Sequence, residues 1–201
     1  SEDESEDAFT RQQIAQFEKM SSAIVSHFEY PIARHICNSF GIIRFAEAQY
    51  DMVRLGISLY GVAPESPIKD KLRNVNTLRT TITQMHALKA GDTVGYGRAE
   101  KVISEMRSAT LPIGYADGLS RKNGNRQGSV LINGQRAPII GNICMDMCLV
   151  DVSGIPCEEG DDAILFGEGY PIEEFAKNSE TISYEVLTNV SARVKRVYFQ
   201  E

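Results

Sequence analysis

The sequence predicts a mainly β protein in which a β-barrel-like domain follows a shorter α/β segment. Three observations lead there. From Leu78 onward, runs of β-formers recur about every eight to twelve residues between turn clusters, the rhythm of a barrel or sandwich. Within that half, Val130-Leu131-Ile132 and Ala137 to Ile140 flank Asn133-Gly134, and a two-residue type I′ turn needs φ > 0 at both central positions, which this pair supplies. Before about residue 65 the texture differs, with helical periodicity alternating with continuous apolar runs, as in βαβ packing around a parallel sheet.

Taken in order, the chain opens on an acidic run, Ser1 to Asp7. Thr10 and Gln13 form a capping box, and Ile14, Phe17, Ile24 and Phe28 then recur at helical spacing. Tyr30-Pro31 is expected to end that helix, because the residue before a proline is pushed out of the α region. A buried strand over Ala33 to Asn38, a short helix around Phe45 to Asp51 and a second buried strand over Met52 to Tyr60 follow, closed by Gly61 and Pro64. Two strands and two helices cannot close a parallel sheet alone, so this half is expected to belong to a larger α/β body. The β half carries turns at Lys89 to Asp92, Asn123-Gly124-Asn125, Asn133-Gly134 and Glu159-Gly160-Asp161. A strand is expected from Ile143 to Val152, with Asp146 inside it needing a partner. Helices are expected at Pro171 and near Ser183 to Asn189, and a last strand over Val194 to Phe199.

Composition narrows the function. The net charge is −6 and no basic stripe exists, which argues against a nucleic-acid surface. No apolar run approaches membrane-spanning length, and none reads as a signal peptide. The four cysteines form no extracellular framework and are read as reduced thiols in a cytoplasmic protein. Cys144 and Cys148 would share one strand face, but the three histidines lie far off without ligand spacing, so no metal is expected.

Several residues could carry chemistry. Tyr96 sits between Gly95 and Gly97, where a backbone can approach a ligand and leave the ring exposed, and Tyr115 has a similar setting in Gly114 to Gly118. From the residues alone, a turn aromatic stacked on the barrel is the readier reading of each. Arg54 lies in an apolar run, where a guanidinium keeps its charge and must find acceptors; His35 could stand beside it if the two strands pair. Ser39 and Gly56-Ile57 fall at the carboxyl ends of those strands, where α/β folds place ligands and free N–H groups suit a phosphate. An Arg–His structural pair accounts for the same pattern.

These residues in their order resemble the alanine racemase family. The motifs are His35-x-Cys37-Asn38-Ser39, Arg54-x-Gly56-Ile57-x-Leu59-Tyr60-Gly61, Val94-Gly95-Tyr96-Gly97, Leu111 to Gly118, Gly141-x-x-Cys144-Met145-Asp146 and Ile182-x-Tyr184-Glu185. The resemblance runs through nearly the whole chain and corresponds to the C-terminal part of the family. It implies residues 1–66 as the end of a (β/α)8, or TIM, barrel that binds pyridoxal 5′-phosphate (PLP), and residues 67–201 as the family's β-domain. Ser39, Gly56 and Ile57 would hold the PLP phosphate, and Arg54, supported by His35, would donate to the pyridine nitrogen. Arginine does not give up its proton, so that nitrogen stays unprotonated and the ring is a weaker electron sink, which favours racemisation over transamination. Tyr96 would be the base on one face, acting in the partner subunit's site of a homodimer, its phenolate favoured by nearby positive charge. Met145 would contact the substrate carboxylate through its N–H, and Tyr115 would narrow the entrance. The implied reaction interconverts L- and D-alanine for peptidoglycan. A racemase of other amino acids and a non-catalytic dimerisation or binding domain are the alternatives. The family's Schiff-base lysine, in a run like Lys-Ala-Asn-Ala-Tyr-Gly, is absent from the sequence, so this chain alone is expected to be inactive.

Overall fold

The computed structural model describes residues 4–63 and 68–199, so Pro64 and the expected boundary at 66/67 lie outside the described residues. The chain divides into two units, Ser1–Val75 and Asn76–Glu201.

In the first unit, helix α1 (Asp7–Val25) begins one turn earlier than the capping box suggests, with Thr10 buried inside it and Asp7 paired with Arg44. It ends five residues short of Tyr30. Helix α2 spans Ser39–Arg44, ahead of the expected helix, and a 3₁₀ turn over Ala46–Ala48 follows. The small core gathers Cys37, Phe45 and Ala48, with Ile14, Ile36, Ile42, Tyr50 and Val53 packed against them. Neither expected strand forms: 33–38 has no strand assignment, and 52–60 resolves into an extended stretch ending in a 3₁₀ turn at Ile57–Tyr60. The two segments do run side by side, but among the described residues Arg54 N–H to Cys37 O (2.9 Å) is the one backbone bond between them, with Asp51 N–H to Arg34 O (3.1 Å) just before the second segment. A parallel ladder needs evenly spaced bonds along its length, and these do not make one.

The second unit is built on nine strands. They are β1 (Leu78–Thr81), β2 (Gln84–Leu88), β3 (Thr93–Val94), β4 (Glu100–Lys101), β5 (Met106–Leu111), β6 (Ser129–Ile132), β7 (Gln135–Ile140), β8 (Cys148–Asp151) and β9 (Asp162–Phe166). Seven form one antiparallel sheet in the order β1-β9-β6-β7-β8-β5-β2, and β3 pairs with β4. Strands β1 and β2 occupy opposite edges yet are joined by Ile82-Thr83 alone. A flat sheet would hold its edges about 29 Å apart at the usual strand spacing, whereas this step reaches at most about 11 Å. The sheet must therefore curl back on itself, the barrel-like form expected from sequence. Ile82 stitches the closure, donating its N–H to Asp161 O (2.9 Å) and accepting from Gly160 N–H (2.8 Å), while Thr83 N–H reaches Thr110 O (3.0 Å).

The hairpin at the centre of the sheet forms as read. Asn133 (φ 47°) and Gly134 (φ 76°) both take left-handed backbone, and Ile132 pairs with Gln135 across the turn. That register points Val130, Ile132, Ala137 and Ile139 inward, where each is fully buried together with Val150, Ala163 and Leu165. Helices α3 (Ile172–Asn178) and α4 (Ser183–Asn189) follow β9, and Phe175 of α3 packs its ring on Phe166 at 5.7 Å between centroids.

Two expectations fail here. The run Ile143 to Val152 is a strand only over β8, because 143–147 forms a loop. Asp146 is therefore exposed rather than embedded in a strand, and Cys144 does not share a strand face with Cys148, whose buried thiol is pushed up to about 12. The segment Val194 to Phe199 forms no strand. Its residues pair with no strand of either sheet, and Val197, Tyr198 and Phe199 are exposed. Among the described residues no helix is long and apolar enough to cross a membrane.

Candidate active site

The residues singled out by sequence fall into two clusters, one in each unit. In the first, Asn38 caps α2 by accepting the N–H of Gly41 (3.0 Å), which sets Ser39 as the first helical residue. The buried Ser39 hydroxyl oxygen then accepts from Gly56 N–H at 2.9 Å and lies 3.5 Å from Ser58 N–H. Ile57 opens the 3₁₀ turn, whose first N–H groups have no acceptor within the turn. A Cβ added at Gly56 would meet only Ser39 Oγ, at 3.8 Å, so the space over that glycine is open. Buried Ser58 Oγ has no hydrogen-bond partner among the described residues, an orphan polar atom beside this cradle.

Arg54 stands two residues ahead of Gly56. It is exposed rather than buried, contrary to the sequence reading, because the flanking segments do not form a covered sheet. It is nonetheless held in place. Nη1 lies 2.7 Å from His35 Nδ1 and Nη2 donates to Ile36 O at 3.1 Å. A guanidinium can only donate, so His35 Nδ1 is the acceptor and the imidazole proton sits on Nε2.

In the second unit, Tyr96, Tyr115 and Met145 share one group of loops. Gly95 (φ 77°) and Gly97 (φ 71°) flank Tyr96, whose side is 75% exposed. Asn142 donates its side-chain N–H to Tyr96 O (2.9 Å) and accepts from Asn125 (3.1 Å), tying the Tyr96 turn to the loop that carries Met145. Tyr115 begins a 3₁₀ turn, Tyr115–Asp117, laid directly on that loop: its N–H donates to Cys144 O (3.0 Å) and Ala116 N–H to Met145 O (3.0 Å). Gly114 makes the approach possible, since a Cβ there would lie 2.3 Å from both Cys144 O and Met145 O.

The family model of the alanine racemase C-terminal domain matches residues 75–198, and that of the alanine racemase N-terminal domain matches residues 1–64. The chain belongs to the alanine racemase family. The alanine racemase of Desulfovibrio desulfuricans is 40% identical, the match covering 100% of this chain and 55% of that protein. That of Clostridium tetani is 38% identical over 100% of this chain and 54% of its own length. Among solved structures, alanine racemase from D-cycloserine-producing Streptomyces lavendulae matches with a TM-score of 0.87 at 34% identity, over 96% of this chain and 52% of that one. Alanine racemase from Bartonella henselae, a structure with covalently bound pyridoxal phosphate, matches with a TM-score of 0.83 at 33% identity, over 94% and 52%. The chain thus spans about half the length of the curated relatives it matches.

For this member of the alanine racemase family, sequence reasoning left three residues of the loop cluster without a role: Asn142, Asp117 and Arg193. Arg193 donates from Nε to Asp117 Oδ1 (2.7 Å) and from Nη2 to Asp146 Oδ1 (2.7 Å). Asp117 Oδ2 also accepts the N–H of Gly114 (2.8 Å). Burial alone would raise the Asp117 carboxyl, but the bonds from Arg193 and Gly114 outweigh it and hold it below the usual carboxylate range. Asp151 behaves alike: its burial is outweighed by Ser153 and by Arg126, which also binds Glu100 (2.7 Å). No local pattern announces Arg193, which is 47 residues from Asp146 and 76 from Asp117; the unpaired Asp146 is the one clue that a cation was required.

These shifts set an acid limit. A carboxyl whose folded pKa lies below its unfolded value binds fewer protons when folded, so its stabilisation is complete above the unfolded aspartate pKa of about 3.9 and disappears as pH falls through the lower folded value. Urea unfolding followed from pH 7 to pH 2 is expected to show midpoints level above about pH 5 and declining below about pH 4. Asp117→Asn combined with Asp151→Asn flattens that decline; an unchanged slope in the double variant would assign it elsewhere.

Proposed function

We propose that the chain forms part of a PLP-dependent alanine racemase that interconverts L- and D-alanine and supplies D-alanine for peptidoglycan. In this reading residues 1–66 are the end of the cofactor-binding (β/α)8 barrel and residues 67–201 the β-domain. The observation that carries it is the Arg54–His35 pair, which presents a fixed, donor-only cation beside a serine–glycine cradle. That donor set suits PLP: the Ser39 hydroxyl with the N–H groups of Gly56 and Ile57 for the phosphate, and Arg54 for the pyridine nitrogen, a neutral acceptor. When bound, PLP draws electrons from the amino acid's Cα and makes its α-proton removable.

The chain's own residues divide the remaining work. His35 orients the Arg54 fork, which would donate to the pyridine nitrogen when the cofactor is bound. Tyr96, exposed and mounted between two glycines, moves a proton at its phenolic oxygen in the site of the partner subunit of a homodimer. Met145 offers its N–H to the substrate carboxylate, and Tyr115 narrows the entrance above it. The second base is a lysine outside these 201 residues. The protein works in the cytoplasm, on free alanine rather than on nucleic acid or membrane.

Growth tests the reading. A bacterial strain that requires D-alanine is expected to grow without it when given the complete coding sequence that contains these residues, and not when given residues 1–201 alone. Expression of the complete, folded protein without growth would overturn the proposal.

A further inference from the structure

The loop carrying Met145 and the turn carrying Tyr115 are joined by backbone bonds at one side and by a single guanidinium at the other. On the backbone side, Tyr115 and Ala116 donate to Cys144 O and Met145 O. On the other, Arg193 places Nε on Asp117 and Nη2 on Asp146, both at 2.7 Å, using one planar fork for two carboxylates on two different loops. The Asp117 side chain is only 14% exposed, against 57% for Asp146, so one arm is anchored in a partly dry setting and the other reaches out to the exposed Met145 loop. The arginine's own segment is fastened as well. Ser191 N–H donates to Asp117 O (3.0 Å), and Arg196 donates to the carbonyls of Val190, Ser191 and Val194 at 3.0–3.1 Å.

An isolated surface ion pair contributes little, but a fork shared between two loops fixes a distance, which a lysine point charge cannot do. We infer that Arg193 is a positioning residue for substrate recognition: by bridging Asp117 and Asp146 it sets the separation between the Tyr115 turn and the Met145 backbone, without touching the reacting atoms. This inference rests on the racemase reading above for its kinetic consequence, and on geometry alone for its structural one.

The test uses the complete protein and two readouts. In Arg193→Ala, hydrogen exchange at the Tyr115 and Ala116 amides is expected to accelerate about tenfold or more, while the amides of Ile139 and Val150 in the sheet keep their rates. The KM for alanine is expected to rise about tenfold in both directions with kcat changed less than about threefold, the pattern of lost uniform binding. Arg193→Lys is expected to keep the melting temperature yet not recover KM. Asp146→Asn, which leaves the Arg193–Asp117 pair intact and so folds even where Arg193→Ala does not, is expected to raise KM alone and to add nothing to the arginine variant. A lowered melting temperature with KM and both amides unchanged, or full rescue by lysine, would overturn the inference. If the parent protein racemises nothing, the racemase reading fails, and the exchange data still decide whether the bridge exists.

Discussion

Tyr96→Phe in the complete protein is expected, on the proposed reading, to lower turnover by about 10²- to 10⁴-fold, the usual worth of a positioned general acid–base group. On the proposed reading each face of the cofactor would have its own base, so the loss is expected to fall chiefly on proton abstraction from one enantiomer. The substitution removes one oxygen from a side chain that is 75% exposed, so no packing is lost and the fold is expected to keep its melting temperature. The turn beneath it is held by Asn142 through the Tyr96 carbonyl, a bond that phenylalanine preserves. Exchange of the α-proton for deuterium, measured separately from L- and from D-alanine, checks this. Wild-type exchange from both enantiomers would make the β half a non-catalytic binding domain.

Gly114→Ala carries a large expected structural cost. The backbone at Gly114 is extended (φ −142°), so alanine's conformation is not the difficulty. Its Cβ would stand 2.3 Å from the carbonyl oxygens of Cys144 and Met145 and 2.5 Å from the Met145 carbonyl carbon. These are main-chain atoms and cannot rotate away. The Met145 loop must shift bodily, which costs about 1–3 kcal/mol as overpacking and loosens two backbone bonds worth about 0.5–1.5 kcal/mol each. The expected loss is roughly 2–6 kcal/mol in urea unfolding, together with a raised KM for alanine. Gly154→Ala provides the contrast. Its φ is 83° but nothing lies within 4 Å of the added Cβ, so it pays only the left-handed strain of about 1–2 kcal/mol and leaves KM alone. Equal KM values for the two variants would mean that the Gly114 contact does not govern the Met145 loop.

The β half was legible wherever local chemistry decides structure. Asn133-Gly134 dictates its own turn, and the alternation around it dictates which of Val130, Leu131 and Ile132 face inward. Helix Ser183–Asn189 likewise emerges as read. The misreadings share a cause. Residues 33–38 and 52–60 have strand-like composition, but a parallel strand exists only through neighbours on its flanks, and a run of β-formers cannot say whether those neighbours are present. Ile143 to Val152 misled for the opposite reason. Its second half is strand β8, whereas 143–147 is a loop whose backbone lies against Gly114, a tertiary contact with no period to detect. The site followed the same division. Tyr96, Ser39 and Arg54 stand in distinctive glycine-rich or apolar settings, whereas Arg193 looks like any surface arginine until the fold brings Asp117 and Asp146 to it.

Racemisation of alanine by the complete protein is open to direct measurement. The purified complete protein is loaded with PLP, given L-alanine, and sampled by chiral chromatography until the composition stops changing. D-alanine is expected to accumulate to an equal mixture of the two enantiomers, and the same mixture is expected from D-alanine. A folded, PLP-loaded protein that leaves both enantiomers unchanged would contradict the proposed function.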